Sequence, residues 1–466
     1  MEYISRDEPL TPEGRLFTQQ KLNIVMNCAI GFRNPIDIEA LKTDFLNSYL
    51  MKHPRFSSLL VLDHKGREFW RKTHVNIDDH FIIHHNNQNP ISDQSSNNEE
   101  HDHDDKINAI LADFAVSSPL STKKPLWEFH IISELKCMIF RFHHALGDGI
   151  TLMSMFLASC KRFDENGGIE LKQEDKVKER KKKKKGILRI LKTVWWSNIY
   201  VMKFTGRSLW VKDKNTVFSG GDGVELWPRM VATAKFDLQD MKIVKRAVPG
   251  ATINDVLFGV LSSGFSKYLT SQSPHGLKKG IQITGIAMVN LRRQPGIQEI
   301  STMMEGNSIG TKWGNKFGLF LLPIHCHTKS GENPLENVKK AKKMLDRKKQ
   351  SLEAHFSYKT GKLAMSLFGP KVPAKFNHKI ISNSTFTISN VVGPQEVSAF
   401  GGNNPMTFMR VTSSSLSCGI MMHMVSYAGK AEMQILVAKD IIPEPRILAN
   451  CFQDSLIEMK NAALLL

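Results

Sequence analysis

Residues 164–186, DENGGIELKQEDKVKERKKKKKG, carry few apolar side chains and no hydrophobic period. Such a stretch cannot bury itself in a core and reads as an exposed linker. On each side of it helix-like and strand-like patterns mix. Before it, KLNIVMNCAIGF (21–32) alternates as a strand, and Ile38, Leu41, Phe45 and Tyr49 form a helical stripe. PLWEFHIIS and KCMIFRFHHALGDG then read as two strands joined by a short turn, and GITLMSMFLASCKRF as a helix. After it, TINDVLFGVLSSGFSKYLT predicts a helix with Thr252 as its cap and Asp255 completing a capping box. Further strands follow (IQITGIAMVNL, FGLFLLPIHCH, FTISNVV, MTFMRVTSS, GIMMHMVSY, AEMQILVAK), with helices among them and a last helix from Pro445. The fold class is therefore α/β with mixed sheets, in two halves of similar size. The expected division is 1–163, a basic linker and amphipathic segment over 164–225, and 226–466. Residues 84–105, HHNNQNPISDQSSNNEEHDHDD, read as a solvated flexible loop, their His and Asp lacking anything to fix a metal geometry.

With 41% hydrophobic and 23% charged residues the chain has material for a sizeable core, so a mainly disordered protein is excluded. Lys plus Arg outnumber Asp plus Glu 63 to 45, a formal charge of +18 that suits nucleic acid, anionic lipid or a phosphorylated substrate without choosing among them. Six cysteines (Cys28, Cys137, Cys160, Cys326, Cys418, Cys451) lie far apart with no CxxC pair. That fits neither a disulfide framework nor a zinc ribbon, and favours a reducing compartment. The first residues lack the apolar core of a secretory signal, and no run of uncharged apolar residues is long enough for a clear membrane span.

The strongest chemical signal is HHALGDG: His143, His144, Asp148 and Gly149. A buried strand through Phe142 ends at the histidines, and a tight turn then opens a helix. A histidine at a strand end leaves the core and can face a cleft with its ring held firmly. A neutral imidazole there can take the proton of an alcohol, a poor nucleophile at neutral pH. Asp148 can pair with a buried basic residue and fix the turn. The residues alone leave open the alternative of two histidines satisfied in a core. GNSIG (306–310) fits GxSxG, but no apolar strand precedes Ser308 and no helix follows, so an ordinary glycine turn is the better reading. His325 and His327 share one strand face with Cys326 on the other, a poor metal site. The chain carries no GxxxxGK[ST] motif, no dinucleotide fingerprint and no HExxH. The Lys181–Lys185 run has no interleaved aromatics, so lipid or solvent is preferred to nucleic acid.

At HHALGDG the chain resembles the acyl-CoA-dependent acyltransferase superfamily that includes chloramphenicol acetyltransferase. PLWEFH (125–130), TINDVLFGV (252–260), MVNLRR (288–293), GNKFGLFLLP (314–323) and SNVVGPQ (389–395), in that order, narrow the resemblance to the plant wax ester synthase/diacylglycerol acyltransferase family. No DFGWG string occurs, which sets it apart from the plant alcohol and amine acyltransferases. The resemblance implies two chloramphenicol-acetyltransferase-like domains with a tunnel between them. It implies transfer of a long acyl chain from acyl-CoA to a fatty alcohol, to diacylglycerol, or to both, with no cofactor and no covalent acyl-enzyme. His144 would be the general base, His143 its support and Asp148 a structural member commonly paired with an arginine. Pro125, Leu126 and Trp127 would line or support the acyl channel, Gly149 would contact substrate, and Asn254 and Asp255 would bind substrate, hold the domain interface or shape the tunnel. It further implies an enzyme of the endoplasmic reticulum membrane, and also of the plasma membrane. The competing class is an inactive lipid carrier or membrane scaffold of the same fold.

The segment 186–212 bears on attachment. Set as a helix at about 100° per residue from Arg189, it groups Arg189, Lys192, Lys203 and Arg207 within about 60°, with Leu191, Val194, Val201, Met202 and Leu209 opposite. Trp196, Tyr200 and Trp210 fall beside the cations, as at a headgroup boundary. With the lysine run before it, 176–212 is expected to lie on a membrane surface. A single span near 187–210 and a helix packed on the protein itself are the alternatives.

Overall fold

The computed structural model describes residues 7–84, 96–116, 119–163, 169–170, 187–272, 281–292, 315–326 and 333–466. Ser308, Lys181–Lys185 and His327 lie outside them. Two mixed sheets dominate. One has eight strands, in the order Phe81–His84, Trp127–Ile132, Cys137–His143, Val25–Phe32, Asn404–Ser413, Ser398–Phe400, Lys161–Phe163 and Ile169–Glu170. The other has six: Arg229–Asp237, Lys430–Ala438, Ile420–Tyr427, Phe386–Val392, Gln282–Asn290 and Phe317–His325. A small third sheet joins Glu8–Pro9, Glu68–Lys72 and Ser58–Leu62.

The division expected at 226–466 does not follow the sheets. Strand Asn404–Ser413 leaves the C-terminal half and pairs antiparallel with Val25–Phe32, Met409 opposite Ile30 and Thr412 opposite Asn27. Ser398–Phe400 continues the exchange by pairing with Lys161–Phe163. The crossover places an edge of the first sheet under a partner strand instead of leaving its backbone groups exposed. It also makes each half depend on the other. Residues 169–170, inside the expected linker, are a short edge strand.

The expected loop over 84–105 is corrected in part, because Ser96–Val116 form one helix. Its early turns are acidic, which suits the positive end of a helix, and several of the acids from Glu100 onward are engaged. Asp104 meets Lys235 at 2.7 Å and Arg410 at 2.7 Å, one from each large sheet, and Glu100 also meets Lys235. Its later turns bury Ile107, Leu111 and Ala115 in an apolar cluster with Ala29 and Ile139 of the first sheet and Ile286, Met421 and Leu436 of the second. The two halves thus share a core. Sequence periodicity missed the helix start because its fixing contacts are long-range ion pairs.

The expected helix Ile253–Ser271 is present with its capping box: the Asp255 carboxylate accepts from the Thr252 backbone N–H at 2.7 Å, and Thr252 Oγ1 accepts in return from the Asp255 N–H. With Leu335–Gln350 and Pro445–Leu464 it covers one face of the six-stranded sheet, where Ile388, Met422 and Met433 pack in the core. All six cysteines are free.

Candidate active site

The opposite face of the six-stranded sheet meets the eight-stranded sheet around a cavity. Alternation along each strand decides what lines it. Ile388, Met422 and Met424 point to the core, whereas Thr387, Ser389, Val391, Met421, His423 and Val425 point to the cavity. Met26, Cys28, Ile30, Phe140 and Phe142 line it from the first sheet. Among the polar side chains facing this mostly apolar space are His144, Asp148, Asn290, Arg292 and His423.

His143 ends its strand buried, with both ring nitrogens committed. Nδ1 accepts from the Ala145 backbone N–H at 3.1 Å, so Nε2 carries the proton and donates to Asn23 Oδ1 at 2.7 Å. Burial pushes its pKa down to about 3, with the neighbouring His144 acting in the same direction. His143 therefore stays neutral and fixed, and cannot take a substrate proton. Its backbone N–H is anchored by the Leu126 carbonyl at 2.9 Å, while that of His144 is held by the Ile24 carbonyl at 2.9 Å.

His144 turns into the cavity. Its ring stacks beside Phe17 at 4.2 Å between centroids and stands 6.3 Å from Phe317. Nδ1 is buried and has no hydrogen-bond partner among the described residues, which leaves Nε2 to face the cavity. Burial is the largest influence and lowers its pKa, against the opposite effects of its own carbonyl, Asp148 and Asn315. The Asn315 amide also donates to the His144 carbonyl at 3.0 Å. The result is a neutral imidazole, sterically held, with one nitrogen open.

Asp148 does not reach toward that nitrogen. It caps the helix Gly149–Ser159, Oδ1 accepting from the Thr151 N–H at 3.0 Å. Oδ2 accepts from Arg292 Nη1 at 2.6 Å and from the Lys316 N–H at 3.1 Å. Arg292 donates further to Thr151 Oγ1 at 2.9 Å. One carboxylate thus ties the histidine turn to two strands of the other sheet. Gly149 sits where a Cβ would meet Val391 at 3.5 Å, and it lines the cavity.

The other expected site residues do not line the cavity themselves. Pro125, Leu126 and Trp127 are buried in the core of the first half, away from the cavity. Trp127 stacks on His80 at 3.7 Å and donates its ring N–H to the Phe56 carbonyl at 2.8 Å. Their strand pairs antiparallel with the strand that ends at His143, and the Leu126 carbonyl accepting from the His143 N–H is their link to the site. Asp255 is consumed by its own helix cap, and Lys349 stands 3.9 Å from its other oxygen. Asn254 accepts from Asn390, and only Asn390 lines the cavity.

Sequence reading assigned no role to Arg292, although it lies in MVNLRR, or to Asn23, Asn315, Phe17 and Phe317. Nor did it find His423, whose ring nitrogens bond Ser389 Oγ at 2.8 Å and Ser413 Oγ at 3.2 Å. Burial, then His144, lowers its pKa to about 4. A strand pattern could have placed His423 beside Met421 and Val425, but nothing local says that this face meets another sheet. Among the described residues no three His, Cys, Asp or Glu side chains are grouped to hold a metal ion.

Comparison with known proteins places the chain among relatives in sequence and in fold. The chain matches the wax ester synthase/diacylglycerol acyltransferase catalytic domain over residues 109–202 and the C-terminal domain of the same family over 313–460. It is 31% identical to wax ester synthase/diacylglycerol acyltransferase 10 of Arabidopsis thaliana, covering 98% of this chain and 97% of that one. It is 30% identical to the Arabidopsis protein numbered 4 in the same series, over 98% of this chain and 90% of the relative. Among solved structures it resembles a wax ester synthase/diacylglycerol acyltransferase from Marinobacter aquaeolei VT8, with a TM-score of 0.58, 16% identity and coverage of 98% and 99%. A trichothecene 15-O-acetyltransferase from Fusarium sporotrichioides shares the fold at a TM-score of 0.55 and 12% identity, over 98% and 95% of the two chains.

Proposed function

The chain belongs to the wax ester synthase/diacylglycerol acyltransferase family, an acyltransferase family, and from that premise we propose that it moves a long acyl group from acyl-CoA to a fatty alcohol, to diacylglycerol, or to both. The observation that carries the reading is His144: a neutral, fixed imidazole with one open nitrogen in an apolar cavity between the sheets. Nε2 accepts the hydroxyl proton of the acceptor as its oxygen attacks the thioester carbonyl. The imidazolium then returns that proton to the departing CoA thiolate. Both substrates meet at one base, so no acyl-enzyme forms and the chemistry needs no cofactor. His143, Asn23 and Asn315 hold the base in position, and Asp148 with Arg292 holds the turn that carries it. We assign attachment to an endoplasmic reticulum membrane surface, through residues 176–212, as part of the same reading.

The test is thiol release from palmitoyl-CoA by the purified protein. Release that requires added hexadecanol or diacylglycerol, with the ester recovered, supports the transferase. Release without acceptor points to hydrolysis through Ser308, and no release with retained lipid binding points to a carrier.

The lowered pKa of His144 also fixes a pH dependence. The base works in its neutral form, which here persists below the ordinary imidazole value of 6.5. As pH falls, kcat/KM for ester formation is expected to hold through that value and decline only beneath it. An acid limb centred at or above it would show that the essential base is not the buried His144.

A further inference from the structure

We propose that the helices Ile187–Leu209, Glu353–Phe368 and Lys371–Ser382 together form a face that rests on an anionic lipid surface, and that a cleft opening between them admits the apolar chain of the acyl acceptor from that surface. The docking half stands on geometry and charge alone. The portal half rests on the acyl-transfer reading.

The first helix turns part of its polar side onto the protein. Its expected cationic arc is not at solvent throughout: Arg207 is buried, paired with Asp213 at 2.8 Å and donating to Thr284 Oγ1 at 2.9 Å. Trp196 lies beneath Arg347 at 4.8 Å, and Tyr200 beneath Lys348 at 3.8 Å, so these rings face the helix Leu335–Gln350. The apolar stripe is what remains outside, with Leu191 61% and Met202 74% exposed. With Arg207 committed to the protein, the helix leaves an exposed apolar stripe for which water is a poor partner, bordered by Lys192 and Lys203. The second helix adds Leu363 and Leu367, 59% and 64% exposed, with Phe368 beside them.

Charge selects the partner. Residues 187–212 contain no acid, and residues 353–382 contain one, Glu353, which is buried against Lys348 at 2.7 Å. Lys192, Lys203, Lys362, Lys371 and Lys375 are exposed on the same three helices. An apolar face rimmed by unopposed lysines fits an anionic bilayer surface, where apolar burial and headgroup attraction add. No helix among the described residues is long and apolar enough to cross a membrane, so the contact is one of surface docking.

A cleft of about 320 Å³ opens between the three helices, with Leu209, Lys362 and Phe376 on its wall and themselves exposed. Its inner wall is shared with the His144 cavity through Leu16, Phe317, Leu319 and Asn377. Phe317, 6.3 Å from the His144 ring, is therefore the partition between lipid face and base. The Glu13 carboxylate in this wall is engaged by Tyr358. Gly361 also lines the cleft, and a Cβ there would meet no atom within 4 Å, so a bulky side chain can fill the space without displacing the fold.

Flotation with phosphatidylcholine vesicles containing phosphatidylserine tests docking. Leu191→Glu with Met202→Glu, and separately Leu363→Glu with Leu367→Glu, are each expected to weaken binding by about tenfold or more, since either pair puts charge where apolar surface would be buried. Both pairs are exposed, and an unchanged melting temperature verifies folding. Unaltered binding by the second pair overturns the three-helix face. Self-association in lipid-free solution, abolished by the same changes, would assign the face to a second copy instead. Gly361→Trp tests the portal: turnover of vesicle-borne hexadecanol should fall about tenfold or more while butanol, short enough to bypass the cleft, is esterified as by the parent protein. Equal loss with both alcohols, or with neither, overturns the portal. Butanol esterification by parent and variant keeps the acyl-transfer reading separate, because it persists if only the portal is wrong and is absent if that reading is.

Discussion

His144→Ala loses ester synthesis by about 100- to 10,000-fold, the usual contribution of a positioned general base, while melting at the parent temperature. The ring lies in the cavity wall with one nitrogen open, and Nδ1 makes no hydrogen bond with any described residue, so truncation removes no hydrogen bond seen there. The backbone bond to Ile24 and the Asn315 contact to the His144 carbonyl survive the change. His143 cannot substitute, because its two nitrogens are bound to Ala145 and Asn23. His423 cannot readily do so either, since Ser389 and Ser413 occupy its ring. The residual rate should also lose the acid limb assigned to His144. A folded His144→Ala protein with near-parent turnover would remove the base from this site.

Asp148→Asn should behave differently, harming folding at least as much as chemistry. The carboxylate accepts from Thr151, Arg292 and Lys316 at once, and both it and the Arg292 side chain are nearly buried. An amide keeps one acceptor oxygen and turns an N–H pair toward donors. Breaking one partner of a buried charge pair costs about 3–5 kcal/mol, because the other charge stays in place without compensation. Arg292→Met should fall in the same range while leaving the capping residue Asp148 itself unchanged. Chemical denaturation of both variants, read with activity at a temperature where each is folded, separates the effects. Abolished activity at an unchanged melting temperature would place Asp148 in the reaction.

Local order was legible in the chain. The capping box at Thr252 and Asp255, the strand that ends at His143 and the turn into the helix at Gly149 all come from residues within a few positions of one another. Period, cap and turn are decided at that range, and the sequence prints them directly. The mixed α/β class and the family resemblance follow from the same kind of signal, and His143, His144 and Asp148 could be named before any tertiary contact was known.

What joins those pieces was not legible. Strand Asn404–Ser413 belongs to the sheet of residues far earlier in the chain, and its own alternation would fit either sheet. Arg292 meets Asp148 across 144 positions, and His423 looks toward His144 because two sheet faces oppose each other. The motif PLW turned out to support its neighbour strand from the core, since Trp127 finds Phe56 and His80 there. The helix Ile187–Leu209 shows the limit most plainly. Its residues mark an apolar and a cationic side, but not which would face the protein; Asp213 and Thr284 decided that by offering buried partners to Arg207, and Lys348 by packing over Tyr200. Amphipathicity is a property of one helix, whereas its orientation is a free-energy difference between two environments, and only the folded chain supplies both.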